Sequence, residues 1–126
     1  MTVKRSRSAT RVLSVLEGIA HYHPIGVSEL ARLLNDDKSA VQRAIMTLGD
    51  AGWVSATPGA PRRWQLTAHI LTIAHTASEG NELLTRAKST LESLRTETGE
   101  TILLAVPDIR SFVTIEVLQS RHLLRT

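Results

Sequence analysis

The sequence predicts a mainly helical protein with a small β component, and three observations support that prediction. Two helical patterns flank a short polar turn within about residues 26–45. Two short β-prone runs then surround a loop of proline and glycine. Apolar residues return at helical spacing from about residue 68. Together with an apolar helical pattern upstream, these features predict a winged helix-turn-helix, made of three helices and a β-hairpin wing, followed by a linker helix.

The first helix is expected to begin after Ser8, because a serine hydroxyl suits an N-cap. Residues 1–7 are polar and basic, and we expect them to form a disordered arm. Pro24 ends the helix because proline disfavours helical geometry in the residue before it. The predicted apolar face consists of Val12, Leu13, Val15, Leu16, Ile19 and Ala20.

The second and third helices form the helix-turn-helix. Gly26 predicts a turn and Ser28 an N-cap, after which Leu30, Leu33 and Leu34 are expected to face inward. Asn35-Asp36-Asp37 forms the next turn, in which one aspartate is expected to cap the third helix. Gly52 suits the end of that helix. Its predicted buried stripe, at i, i+3, i+4 and i+7, is Val41, Ala44, Ile45 and Leu48.

The outward face of the third helix indicates an anionic partner. It carries hydrogen-bonding side chains without a carboxylate, namely Lys38, Ser39, Gln42, Arg43 and Thr47. Exposed helix faces normally mix both charges. Residues 1–66 also carry nine Lys and Arg against five Asp and Glu, whereas residues 67–126 carry six against seven. The positive charge therefore lies in the half of the chain that holds this helix pair.

The remaining elements follow from turn residues and periodicity. Trp53 to Ala56 and Arg62 to Leu66 are predicted to be the strands of the wing, and Thr67 the N-cap of the linker helix. Trp53 and Trp64 are expected to pack the wing onto the core rather than to stack on bases. Further predicted elements are a linker helix over about 68–78, a helix over about 82–97 ended by Gly99, strands at 101–106 and 112–118, and a candidate third strand at 121–125.

Composition argues against several classes of protein. The chain has no cysteine, which excludes disulfides and thiolate zinc sites. No apolar run approaches the length of a membrane span, and no apolar segment follows the basic N-terminus as a secretory signal requires. The five histidines lack metal-binding spacing and catalytic context. We therefore expect a cytoplasmic protein that is not an enzyme, with no metal, cofactor or membrane partner.

Several stretches together resemble one family of bacterial regulators. They are residues 8–19, 27–34, 38–43, 47–48 with 51–54, 64–66 and 91–101, the last ending in Thr98-Gly99-Glu100-Thr101, with further similarity at Val117 and Arg121. In combination these stretches resemble the IclR family of transcriptional regulators. The resemblance implies three regions: a DNA-binding domain at 6–67, a linker helix at 68–80 that pairs with its twin, and an effector-type α/β domain beginning at 81.

The resemblance also sets limits. In the family the effector domain is considerably longer, so this chain resembles a truncated regulator, and binding of a small-molecule effector is not carried over. Pairing through the linker implies a homodimer or higher oligomer, with two recognition helices about 34–36 Å apart on operator DNA. Packing of the linker helix on its own first helix remains the alternative.

We assign provisional roles to seven residues. Ser39, Gln42 and Arg43 are expected at or near base edges, with Arg43 suited to guanine and Gln42 to adenine. Lys38 and Thr47 are assigned to phosphate. Arg62 and Arg63, placed at the hairpin tip, are candidates for phosphate or minor-groove contact. Two alternatives remain open: that these are ordinary solvated side chains, and that the domain is a protein-interaction or assembly module without sequence-specific DNA binding.

Overall fold

The computed structural model describes residues 2–78 and 82–120, which fall into two compact units divided between Thr76 and Ala77. As predicted, the described chain is mainly helical with two small antiparallel sheets. The elements in order are α1 (Arg7–Tyr22), α2 (Val27–Leu34), α3 (Lys38–Asp50), β1 (Val54–Ala56), β2 (Trp64–Leu66), α4 (His69–Ser78), α5 (Glu82–Thr98), β3 (Ile102–Pro107) and β4 (Phe112–Leu118). In the described part of the chain, no helix combines the length and apolar character needed to cross a membrane.

Helix α1 begins two residues earlier than predicted. The N-cap is Ser6, whose hydroxyl accepts a hydrogen bond from the Ala9 amide at 3.2 Å. The prediction that Ser8 is the cap is wrong, because Ser8 already has helical backbone and Ser6 has the extended backbone that a cap requires. The predicted apolar face is buried at Val15 and Ile19, but Leu13 is 62% exposed.

Helix α2 is also capped differently. Gly26 occupies the N-cap and has no side chain to accept a capping bond, so Ser28 lies inside the first turn and the prediction for Ser28 is wrong. Leu30 is fully buried, whereas Leu33 is exposed, because it lies off the inward stripe of this short helix. Asn35 ends the helix in the left-handed conformation, with φ of 51°.

Helix α3 matches its prediction closely. Asp37 is the capping aspartate, and its carboxylate accepts from the Ala40 amide at 3.0 Å. Gly52, with φ of +87°, follows the end of the helix and donates to the Gly49 carbonyl at 3.0 Å. The predicted stripe is buried at all four positions, Val41, Ala44, Ile45 and Leu48.

The wing is an antiparallel hairpin in which Val54 pairs with Leu66 and Ala56 with Trp64. Its attachment was not predicted from the sequence: Ile25 and Trp64 exchange two backbone hydrogen bonds, of 3.1 and 2.8 Å. Trp64 packs in the core of the first unit, as expected. The wing is therefore fixed to the segment that enters α2.

Helix α4 follows the wing directly. The Thr67 hydroxyl accepts from the His69 amide at 3.2 Å, but the first backbone bonds of the helix end at the Ala68 carbonyl, so Thr67 stands one residue before the N-cap position that was predicted for it. Leu71 is 69% exposed and Ile73 is also exposed. These two apolar side chains are therefore not covered by the first helix.

The second unit is a helix packed on a two-stranded sheet. Leu91 of α5 is buried, whereas Leu83 and Leu94 of the same helix are exposed. Gly99 ends α5 with φ of +70°, as predicted, and its carbonyl accepts from the Ser120 hydroxyl at 2.7 Å. Strands β3 and β4 pair antiparallel with one irregularity beside Leu104. The candidate strand at 121–125 lies outside the described residues.

Candidate nucleic-acid interface

The outward face of α3 is exposed along its first ten residues. The buried stripe fixes the opposite side of the helix against the core, so the outer side chains are presented on a rigid element. Lys38 is exposed at the first position of the helix. Five further exposed side chains line one shallow depression: Ser39, Gln42, Arg43, Met46 and Thr47. The first carboxylate within the helix is Asp50, at its last residue.

Two aspartates precede this face, and both have partners within the protein. The Arg11 guanidinium donates to Asp36 through Nε at 2.7 Å and through Nη2 at 3.3 Å. The neighbouring Asp37 carboxylate is engaged in the helix cap. A carboxylate at this position repels phosphate, and the ion pair with Arg11 opposes that repulsion at Asp36.

The same ion pair lowers the pKa of one carboxyl in the turn. Hydrogen bonds from Arg11, and then from the Asp37 amide, lower the pKa of the Asp36 carboxyl below its ordinary value. Because this pKa is lower in the folded protein, the ion pair stabilises the fold at pH values above the ordinary pKa of the carboxyl. That stabilisation is lost as the pH falls through the lowered pKa. The turn therefore remains ion-paired across neutral and mildly acidic pH.

The wing borders a second groove beside α3. Lys38 and Gln42 line it from α3, and Arg62 and Arg63 line it from the wing. The Arg62 guanidinium lies over the Trp64 ring at 5.7 Å, a cation–π distance that orients this side chain. The Glu29 carboxylate also borders the groove, and its Oε1 lies 4.0 Å from Nη2 of Arg32.

The wing arginines are not at the hairpin tip, and that part of the prediction is corrected. They stand directly before β2, where the Arg63 carbonyl accepts from the Thr57 amide at 2.8 Å. This pairing continues the hairpin beyond β1, so the turn itself is formed by residues 58–61. The arginines line the same groove as Lys38 and Gln42 of α3.

Two residues of the α3 face differ in how freely they can bind a ligand. Arg43 is exposed and makes no ion pair with an acid in the described ranges. The Thr47 hydroxyl, in contrast, donates to the Arg43 carbonyl at 2.9 Å. A phosphate contact through that hydroxyl requires it to turn away from its own helix.

The structure brings all seven predicted residues onto two adjoining surfaces that share Gln42. Sequence reasoning missed two features of the region. Met46 belongs to the outward face, which its position on the helix was sufficient to show. The contact between Arg11 and Asp36 joins residues 25 positions apart, and no local pattern indicates it. Within residues 2–78 and 82–120, no group of three or more His, Asp or Glu could hold a metal ion.

The geometry agrees with comparisons to known proteins. Residues 8–58 match the model of the IclR helix-turn-helix domain. The chain is 29% identical over 118 residues to the HTH-type transcriptional regulator KdgR of Dickeya chrysanthemi, and 30% identical over 122 residues to the transcriptional repressor IclR of Escherichia coli. Residues 8–58 therefore correspond to an IclR-type helix-turn-helix domain. Both relatives are named as transcriptional regulators.

Solved IclR structures share the fold. A putative IclR regulator from Silicibacter sp. superposes with a TM-score of 0.76 at 26% identity, covering 94% of this chain and 47% of that one. An IclR family regulator from Brucella abortus superposes with a TM-score of 0.82 at 21% identity, which shows the fold alone. The sequence matches to the two regulators named above each cover 94% of this chain, but only 38% of the Dickeya KdgR and 44% of the Escherichia coli IclR.

Proposed function

We propose that this chain is a sequence-specific DNA-binding transcriptional regulator of the IclR type, acting on operator DNA in the bacterial cytoplasm. One observation carries the proposal: α3 presents an exposed face free of carboxylates from Lys38 to Thr47. A helix of this kind fits the major groove, where side chains of its N-terminal half meet base edges. Arg43 supports the proposal because no acid of the described protein occupies its guanidinium.

The exposed side chains of α3 fall into two groups, one expected to contact base edges and the other phosphate. Arg43 and Gln42, with Ser39 nearby, contact base edges, because a guanidinium or an amide can bond a purine through two atoms at once. Lys38 contacts phosphate, and Thr47 does so when its hydroxyl leaves the Arg43 carbonyl. These contacts set the register of the helix without reading sequence.

The wing extends this footprint beside the recognition helix. Arg62 is held over Trp64, so less side-chain freedom is lost when it meets phosphate or the minor groove. Arg63 lies next to it in the same groove. Because such contacts are electrostatic, we expect the two arginines to contribute alike on every DNA sequence.

A homodimer is the proposed binding form, and α4 supports it. Leu71 and Ile73 are exposed on this helix, and leaving apolar side chains in water is unfavourable unless another surface covers them. A twofold dimer places two recognition helices on one face of the duplex, about one turn of DNA apart. No small-molecule effector is proposed for this chain.

A salt titration of binding tests the proposal. Each phosphate neutralised by a cation contributes a slope of about −0.9 in log K against log salt concentration. Lys38, Arg62 and Arg63 supply three cations per protomer and six per dimer, so we expect affinity to fall roughly 10³-fold between 50 and 200 mM salt. Fluorescence anisotropy with duplexes selected from a random-sequence library provides the measurement.

Two variants test whether the salt dependence comes from the wing arginines. Arg62→Ala is expected to reduce the steepness of the slope by about one for each protomer. Arg86→Ala removes a cation that is exposed on α5 and ion-paired with Glu82, and it is expected to leave the slope unchanged. If no duplex binds at 50 mM salt, the alternative of a protein-interaction module is favoured instead.

A further inference from the structure

The outward face of α3 contains one apolar side chain among its polar ones. Met46 is 46% exposed, although the buried stripe of the same helix offers apolar surroundings. Successive helical residues turn by about 100°, which places Met46 about 150° from the centre of that stripe. Met46 therefore points away from the core, in the middle of the face assigned to DNA.

The neighbours of Met46 are the residues proposed to read bases. It lines the same depression as Gln42 and Arg43, which lie four and three positions before it and so on the same side of the helix. Other α3 residues with large apolar side chains, Val41, Ile45 and Leu48, are buried. A flexible thioether in this position offers apolar contact and no hydrogen bond to whatever enters the depression.

Only one feature of the major groove matches an apolar side chain. The four base pairs present donors and acceptors there, and thymine alone among the unmodified bases adds a methyl group at C5. We infer that Met46 contacts a thymine methyl, and that the operator half-site carries thymine within one or two base pairs of the purine bound by Arg43. This inference rests on the proposed function, and it adds one position of specificity to it.

Deoxyuridine substitution tests the inference, because deoxyuridine differs from thymidine only in lacking that methyl. Duplexes selected by the full chain are resynthesised with each thymine pair of the two half-sites replaced in turn. Burial of one methyl group has a modest value, so we expect binding to weaken roughly threefold to fivefold at one half-site position. When both half-sites are replaced together, the effects multiply to about tenfold or more.

Variants assign the effect to Met46. In Met46→Ala the affinity for thymine and for deoxyuridine duplexes should become equal at that position, which is the coupling expected of two groups in contact. Leu13→Ala removes a side chain exposed on α1, away from this face, and should retain the full difference. The same duplexes serve all three proteins.

The outcomes separate the inference from the function beneath it. Sensitivity to deoxyuridine that Met46→Ala abolishes supports the inference. Binding that is indifferent to every thymine methyl, or a loss that persists in Met46→Ala, overturns the inference and leaves the regulator proposal standing. Failure to bind any selected duplex overturns both.

Discussion

Replacing Arg43 with alanine is expected to lower discrimination between the operator and a duplex altered at one guanine by about 5- to 150-fold. The range corresponds to about 1–3 kcal/mol for a bidentate side-chain contact with a base. Arg43 is exposed on α3, so its removal leaves the core and the helix cap intact. Competition binding against duplexes mutated at each position measures the discrimination directly.

Arg62→Ala is the matched control for this prediction. It also removes one exposed guanidinium, but from the wing groove, where we expect contact with phosphate. Its affinity should fall by a similar factor on every duplex, with discrimination unchanged. If the two variants lose affinity uniformly, base reading by Arg43 is excluded.

Leu71→Glu is expected to separate the dimer and to weaken operator binding by about 10²-fold or more. A dimer binds its second half-site at a high effective concentration, and that advantage is lost in a monomer. Leu71 is 69% exposed on α4, so a glutamate there places charge in the proposed interface without entering the core of one protomer. Sedimentation velocity and anisotropy provide the two readouts.

A second exposed leucine supplies the comparison. Leu13 on α1 is 62% exposed, and Leu13→Glu adds the same charge outside the proposed interface. It should sediment like the unmodified chain and lose far less affinity for the operator. If Leu71→Glu sediments unchanged, α4 does not hold the dimer together.

Helix periodicity predicted the core elements well, since burial follows from spacing alone. Val41, Ala44, Ile45 and Leu48 are all buried, and the wing strands lie where their β-prone runs stand. Prediction failed at the starts of α1 and α2. Two serines stand near the start of α1, and only backbone geometry distinguishes Ser6, which caps, from Ser8, which does not.

Contacts between residues that are distant in sequence could not be predicted from local sequence patterns. The bridge between Ile25 and Trp64 and the ion pair between Arg11 and Asp36 join segments by tertiary packing, and neither pair has a local signal. The first places the wing arginines beside α3, and the second limits the negative charge ahead of it. Both therefore shape the candidate interface, although the sequence named its principal residues.

One residue of the outward face of α3 was missed, although its position in the sequence was sufficient to predict it. Attention to polar side chains selected Ser39, Gln42 and Arg43 and passed over Met46, which shares their side of the helix. Apolar residues on a helix are usually assigned to the core. Here the angle around the helix axis, rather than residue type, gives the correct side.

Methylation interference tests most directly whether α3 enters the major groove. Dimethyl sulfate methylates guanine at N7 in the major groove and adenine at N3 in the minor groove, so blocked positions report the groove that is contacted. We predict that methylation of a guanine N7 in each half-site blocks binding, and that Arg43→Ala no longer responds to it. Binding blocked only by adenine N3 methylation, or by no methylation, would contradict insertion of this helix.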